Sequence, residues 1–311
     1  MQWSDRIGRR IRLRDMHILL AVAKSGSMGK AASELAMSQP AVSKAVSDLE
    51  HALGLRLLDR GPQGVAPTLY GDALLRCGTA VFDDLRRGVN ELQFLADPTV
   101  GELSIGSTEP AADGFVAAVV DRFSREYPKV QLKVVTADSA TLRRRDLAQR
   151  NIEIALGLMF DLRPEQDANV EMLFDDRHVL VAAASNPWAR KRNLTLAQLI
   201  DEPWVLPPPD SAAGHYIGEG FRAAGVEPPR ASVVTFSLPL HRRLLATGRY
   251  LTALPLSMLH YGETSLRRLA VKYPARARPI GITTYKNRTL SPLAQRFIEC
   301  ARKVATPLAK T

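Results

Sequence analysis

Any catalytic chemistry in this 311-residue chain would need nucleophiles, acid–base pairs or metal ligands at working spacings, and none stands out. No G-x-S-x-G, G-x-G-x-x-G, P-loop or H-E-x-x-H stretch occurs. The histidines are scattered; His51, His178, His215 and His241 have no metal-ligand spacing and read as surface or internally satisfied rings. Cys77 and Cys300 lie 223 positions apart, which fits free thiols in an intracellular protein. No enzyme, metal site or cofactor is expected. The residues that do fall into a pattern are hydrogen-bond donors. Gln39, Ser43 and Ser47 repeat at i, i+4 and i+8, with Pro40 and Lys44 beside them. A glutamine amide can pair with a base edge, and hydroxyls and an ammonium suit bases and phosphates.

That face needs a helix to carry it. Ser38-Gln39-Pro40 starts one: Ser38 can cap free N–H groups, and Pro40 in the first turn gives up a donor that had no partner. The helix runs to about Leu53, where Gly54 supplies the stop. Its opposite stripe, Val42, Val46, Leu49 and Leu53, is apolar. A short helix over Met28–Ala36, capped by Ser27, precedes it. Ala32 is the small residue where the two would touch, and Ala31, Leu35, Met37, Val42 and Ala45 would form a continuous interior. Two short crossed helices, the second with a polar uncrowded outer face, form a DNA-reading helix-turn-helix. An earlier helix over Leu13–Lys24 places Leu13, Met16, Leu20 and Ala23 on one face. Residues 57–67 read as a hairpin around Gly61-Pro62-Gln63-Gly64, with Arg60 on a wing that reaches phosphates or the minor groove.

Thr68 caps a long helix to about Ala96. Along it Leu74, Val81, Leu85, Leu92 and Leu95 step by 7, 4, 7 and 3, the spacing of a coiled-coil seam. A second copy of the chain is the simplest partner for that stripe. Beyond residue 99 strand and helix patterns alternate. Strands are expected near Leu103/Ile105, Leu132/Val134, Ile152–Leu156, Val179–Ala183, Trp204–Leu206, Val233–Phe236, Leu251–Leu254 and Ile280–Thr284. Helices are expected near Ala111–Tyr127, Ser139–Gln149, Gly214–Ala224, Pro239–Thr247 and Pro292–Ala305. The alternation predicts parallel strands, and about 200 residues suit two α/β lobes.

Composition is that of an ordinary soluble protein, 46% hydrophobic and 24% charged, which excludes collagen, low-complexity disorder and a coiled-coil rod. Apolar runs reach only six residues, as in Val179–Ala184, against the roughly 20 a membrane helix needs, and no secretory signal is visible. A solute-binding protein for transport would need export and would leave the helix-turn-helix idle. The net charge of +10 points to an acidic partner, yet residues 1–98 carry 13 Lys/Arg against 11 Asp/Glu and residues 99–311 carry 29 against 21. Charge alone therefore nominates the wrong half for DNA. The basic runs Arg143-Arg144-Arg145, Arg190-Lys191-Arg192 and Arg242-Arg243 would favour an anionic ligand, or simply a solvated face.

The run A-A-x-x-L-x-x-S-Q-P-A-V-S over residues 31–43, followed by Asp48-Leu49-Glu50 and by Thr68-Leu69-Tyr70-Gly71, resembles the winged helix-turn-helix of LysR-type transcriptional regulators. The likeness is close over residues 11–71, and the family's architecture accounts for the rest. Leu58 stands where the family usually has a large aromatic, and Pro67 where it often has Leu. The N-terminal half is also similar to the subgroup associated with sugar-binding-protein and aromatic-acid genes. The resemblance implies a mixed α/β protein: a winged helix-turn-helix (1–67), a linker and dimerisation helix (68–98), and a two-lobed effector domain like a periplasmic binding protein (99–311). Lobe I would span about 99–162 and 267–311, lobe II about 163–266, with crossovers near Asp161–Pro164 and Leu266–Arg268. It implies a bacterial cytoplasmic regulator binding double-stranded promoter DNA. Ser38, Gln39, Pro40, Ser43, Lys44 and Ser47 would face the groove, and Arg60 the wing-side backbone. A small-molecule effector, an organic anion or sugar-related compound, would lie at strand ends: Ser107, Thr108, Ser139, Leu158 and Met159 in one lobe, Leu206, Pro207, Phe236 and Ser237 in the other. Leu74, Val81, Leu85 and Leu92 would join two subunits, dimers would pair into a homotetramer, and RNA polymerase would be a further partner.

Overall fold

The computed structural model describes residues 11–61, 64–158, 167–261, 265–286 and 288–310. The chain divides into two compact units, one ending at Val89 and the other starting at Asn90.

The first unit opens with α1 (Leu13–Ser25), α2 (Met28–Glu34) and α3 (Gln39–Leu53). Serines start the second and third: Ser27 Oγ accepts from the Lys30 N–H at 3.5 Å and Ser38 Oγ from the Ala41 N–H at 3.4 Å. Helix α2 stops two residues short of the expected Ala36, because Ala36 turns into the left-handed region (φ 51°) and the Met37 N–H bonds back to the Ala32 carbonyl at 2.9 Å. Helix α1 buries Met16, Ile18, Leu19 and Val22, whereas Leu13 is exposed and Leu20 and Ala23 are half-buried, so its core face is rotated from the expected stripe. These residues join Ala31, Ala32, Val42, Val46 and Leu49 in one core. Strands β1 (Leu58–Gly61) and β2 (Gly64–Pro67) form the antiparallel wing, with Arg60 opposite Val65. The tip residues Pro62 and Gln63 lie outside the described residues.

Thr68 starts α4 (Leu69–Ala96): its Oγ1 accepts from the Gly71 N–H at 3.0 Å and donates to the Arg56 carbonyl at 2.7 Å. The helix crosses the winged core on glycine. A Cβ at Gly71 would stand 2.0 Å from the Leu57 carbonyl oxygen, and one at Gly78 would stand 2.9 Å from Met16 Cε. Leu74, Leu75 and Phe82 pack into the same core.

In the second unit, β3 (Val100–Ser107), β4 (Lys129–Thr136), β5 (Ile154–Leu158), β6 (Ala168–Asp176) and β12 (Arg278–Tyr285) form a sheet of order β4-β3-β5-β12-β6. Helix α5 covers it, running through Glu109–Ala111, a π-helical Ala112–Val116 and Ala117–Glu126; α6 runs through Ser139–Thr141 and a π-helical Leu142–Leu147, and α10 (Pro292–Ala305) lies alongside α5, with Phe115, Phe123 and Phe297 in the core. The second lobe holds the sheet β10-β7-β11, from Leu251–Pro255, His178–Ala183 and Leu266–Arg268, and the pair β8 (Val205–Leu206) and β9 (Val233–Val234). Its helices are α7 (Ala212–Ala223), α8 (Leu238–Ala246) and α9 (Leu256–Tyr261).

Two expectations change. Strands β3, β4 and β5 are parallel, as are β8 and β9, but β12 is antiparallel to both its neighbours and β7 to both of its own. The boundaries between lobes also shift. Strand β6 pairs with β12 in the first sheet, and Leu266–Arg268 pairs with β7 in the second. The chain therefore crosses at Asp176–His178 and between Arg268 and Arg278, not near 266–268; the other expected crossover, 161–164, lies outside the described residues.

Candidate functional site

Helix α3 separates its two faces sharply. Val42, Val46 and Leu49 are at most 1% exposed, while Gln39, Pro40, Lys44 and Ser47 face solvent. Ser38 is exposed too, with its hydroxyl engaged as the cap. Ser43 is half-buried because Arg60 comes back from the wing, its Nη1 donating to Ser43 Oγ at 3.5 Å. The wing arginine and the helix thus form one continuous donor surface. Glu50, on the same helix, holds the wing in place. Its Oε1 accepts from the Leu57 N–H at 2.8 Å and the Leu58 N–H at 3.2 Å, pinning the strand two residues before Arg60. Glu50 belongs to the motif that carries the family resemblance, yet its negative charge gives no reason to expect a role for it on a DNA-facing element.

Helix α4 leaves Val81, Leu85 and Leu92 exposed, with Val89 and Leu95 beside them. Leu74 departs from that stripe, since it packs into the core of its own unit.

Between the two lobes of the second unit lies a cleft of about 530 Å³. It gathers Thr108, Ser139 and Leu158 from strand ends of the first lobe with Pro207 and Phe236 from the second. Three other expected positions turn away. Ser107 is fully buried and donates to the Thr108 carbonyl at 3.0 Å, because side chains alternate along β3. Leu206 belongs to the second lobe's core, and Ser237 caps α8 by accepting from the Leu240 N–H at 3.4 Å. Met159 lies outside the described residues. Ser139 is not the cap of its helix: Asp138 is, and Ser139 Oγ instead donates to the Leu158 carbonyl at 3.2 Å.

The cleft also holds titratable groups that the sequence does not place there. Asp138 Oδ1 accepts from the Ala140 and Thr141 N–H groups at 3.0 Å, and the Thr141 hydroxyl donates to Oδ2 at 2.5 Å; these bonds hold its carboxyl below the usual range. Asp176 sits where the chain leaves the first lobe, and burial pushes its pKa up. Ser257, which follows the second lobe's β10, gives it two bonds, Oγ to Oδ2 at 2.5 Å and N–H to Oδ1 at 3.3 Å. His178 is pushed down to about 3 by burial. Burial also lowers His241, whose Nε2 meets the Thr235 carbonyl at 3.2 Å. A carbonyl can only accept, so Nε2 carries the proton and Nδ1 is a bare acceptor. Both rings are neutral near pH 7. Neither Lys nor Arg lines the cleft among the described residues. One cation of each basic run is engaged elsewhere: Arg145 with Asp146, Lys191 over the Trp188 ring, and Arg242 with Asp113 across the lobes.

A winged helix-turn-helix, a 28-residue helix and a two-lobed unit with a ligand-sized cleft define a ligand-responsive DNA-binding regulator. Residues 13–72 match the bacterial regulatory helix-turn-helix protein model of the lysR family, and residues 96–306 match the LysR substrate binding domain. The chain belongs to the LysR family of transcriptional regulators. It is 29% identical over 305 residues to an uncharacterized HTH-type transcriptional regulator, YdcI, of Escherichia coli (strain K12), covering 97% of this chain and 99% of that one. To the HTH-type transcriptional regulator GbpR of Azospirillum brasilense it is 28% identical, covering 94% and 86%. Among solved structures, full-length CbnR complexed with its target DNA shares the fold at TM-score 0.64 and 21% identity, covering 94% of this chain and 100% of that one. A full-length single-substitution variant of OxyR from Pseudomonas aeruginosa does so at 0.63 and 20%, covering 96% of each. No described helix is long and apolar enough to cross a membrane.

Proposed function

We propose that α3 enters the major groove of promoter DNA with Ser38, Gln39, Pro40, Ser43, Lys44 and Ser47 facing the bases and phosphates, and that Arg60 contacts the backbone beside the groove. The observation that carries this reading is the solvent-facing row on α3, joined to the wing through the Arg60–Ser43 contact. Two copies of the chain associate along Val81, Leu85 and Leu92, extended by Val89 and Leu95, and dimers pair into a tetramer. Exposure of these side chains in a single chain supports that seam. A small-molecule effector occupies the interlobe cleft against Thr108, Ser139, Leu158, Pro207 and Phe236, and changes the promoter-bound form without being chemically altered. RNA polymerase at the same promoter is the remaining partner, and the bacterial cytoplasm is the place of action.

The test begins with operator sequences selected in vitro from random duplex DNA. Gln39→Ala should remove roughly 1–3 kcal/mol of discrimination between operator and scrambled duplex in a gel-shift series, the worth of a bidentate amide–base contact. A variant that keeps full discrimination would refute the docking.

A further inference from the structure

We infer that the effector of this chain is an uncharged, largely apolar molecule, and that the cleft discriminates against organic anions. The inference rests on the reading that the cleft is the effector site, and it concerns the charge of what enters. Four helices begin at this cleft, at Glu109, Ser139, Ala212 and Leu238. Helix starts ordinarily attract anions through their free N–H groups. Here the chain has filled or removed several of those donors. The Asp138 carboxylate takes two N–H groups of one start, Ser211 Oγ takes the Gly214 N–H of another at 3.0 Å, and Ser237 Oγ takes the Leu240 N–H of the third. Pro110 and Pro239 have no N–H to give, and Glu109 places a carboxylate in the first turn of its own helix.

Side-chain charge acts in the same direction. Three carboxyl groups line the cleft, Glu109, Asp138 and Asp176, the last of them shifted toward its neutral form by burial, and the two histidines there are neutral. Arg177, between Asp176 and His178 in the chain, is exposed and does not line the cleft, and two further cations are engaged outside it. Arg242 is paired with Asp113, and Arg143 lines a separate small cavity of about 20 Å³ behind Thr108 and Ser139. The remaining surface is largely Ala111, Ile217, Phe236, Leu238, Leu254 and Pro255. An organic anion entering this space would lose its hydration beside carboxylates and find no cation among the described lining residues. A neutral body would bury apolar area and keep one polar handle, the Thr108 hydroxyl, which makes no cap bond.

Two dyes with one shared apolar body, N-phenyl-1-naphthylamine and its anionic relative 1-anilinonaphthalene-8-sulfonate, isolate the charge. In fluorescence titrations of the full-length protein at low ionic strength, the neutral dye should bind roughly tenfold or more tightly, since an unpaired buried charge is so unfavourable. That preference would run against the chain's net charge of +10. Phe236 is 60% exposed, so replacing it leaves the fold intact. Phe236→Arg should weaken the neutral dye and strengthen the sulfonate, whereas Phe236→Gln should do only the first. Equal or tighter binding of the sulfonate by the wild type, still sensitive to Phe236→Arg, would overturn the uncharged class and leave the cleft as the effector site. Titrations of both dyes unmoved by either substitution would put them outside the cleft and overturn the effector-site reading together with the inference.

Discussion

Glu50 tests whether the wing is held by one oxygen atom. Its Oε1 receives two backbone N–H groups, from Leu57 at 2.8 Å and Leu58 at 3.2 Å, and the side chain is half-buried. Bonds to a charged acceptor contribute roughly 1.5–3 kcal/mol each, and partial exposure puts these at the lower end. Glu50→Ala should therefore destabilise the first unit by about 2–4 kcal/mol, a large share of the 5–15 kcal/mol typical of a domain. Glu50→Gln keeps an oxygen in place and loses only the charge, so it should cost about 1–2 kcal/mol, less than the alanine variant. Urea unfolding of the two variants beside the wild type measures both numbers. A gel-shift series adds a functional reading: loosening the strand before Arg60 should lower affinity for operator and scrambled duplex alike, because a phosphate contact carries no sequence information. An alanine variant as stable as the wild type would refute the pinning role of Glu50. Glutamine as damaging as alanine would refute it too, since charge alone, and not the position of the acceptor, would then be what matters.

Leu85 is 47% exposed in a single chain and sits mid-stripe on α4. Leu85→Glu should place an unpaired carboxylate in the seam, cost several kcal/mol of association, and shift the protein to monomer in analytical ultracentrifugation; a monomeric wild type would refute the seam. His178 supplies a pH dependence. Between its ordinary pKa of 6.5 and its folded value of about 3, the unfolded chain holds a proton that the folded chain does not, so stability falls as pH drops through that window. The loss from this ring is about 2 kcal/mol at pH 5, and His178→Phe should flatten that part of the acid limb in urea titrations at successive pH values. An unchanged limb would show that the ring is not shielded.

The first unit is legible in the sequence because local rules fix it. Caps at Ser27 and Ser38, the stop at Gly54 and the apolar stripe of α3 are each written within one turn of where they act. The rotated stripe of α1 has a different origin. Met16 and Leu20 do face a neighbour, α4 at Gly78, while Ile18, Leu19 and Val22 join Met16 in the winged core. A helix pressed on two sides has no single apolar face to find. Strand β6 is not foreseen although Val170, Met172 and Phe174 alternate, because it lies at a sheet edge where, of these three, only Phe174 is buried. Pairing with β12, more than a hundred residues away, makes it part of the first lobe, and no local pattern encodes that partner.

The cleft shows why strand ends alone predict a site imperfectly. At each end one residue faces inward and its neighbour is spent on the fold: Thr108 lines the space while Ser107 bonds a carbonyl, and Phe236 lines it while Ser237 caps α8. The strand end is fixed by hydrophobic pattern, but which of two adjacent residues turns inward depends on where the following helix begins. Serine is also ambiguous by chemistry, since the hydroxyl that could hold a ligand is equally good at satisfying a helix start. The basic runs mislead for a related reason. Their cations are real, but a guanidinium reaches several ångströms from its backbone, and Arg145 and Arg242 spend that reach on Asp146 and Asp113. Charge counted along a chain becomes a property of a site only when no nearer opposite charge claims it. Among the described residues of this cleft the claim has been made, and the charged groups left inside are carboxyls.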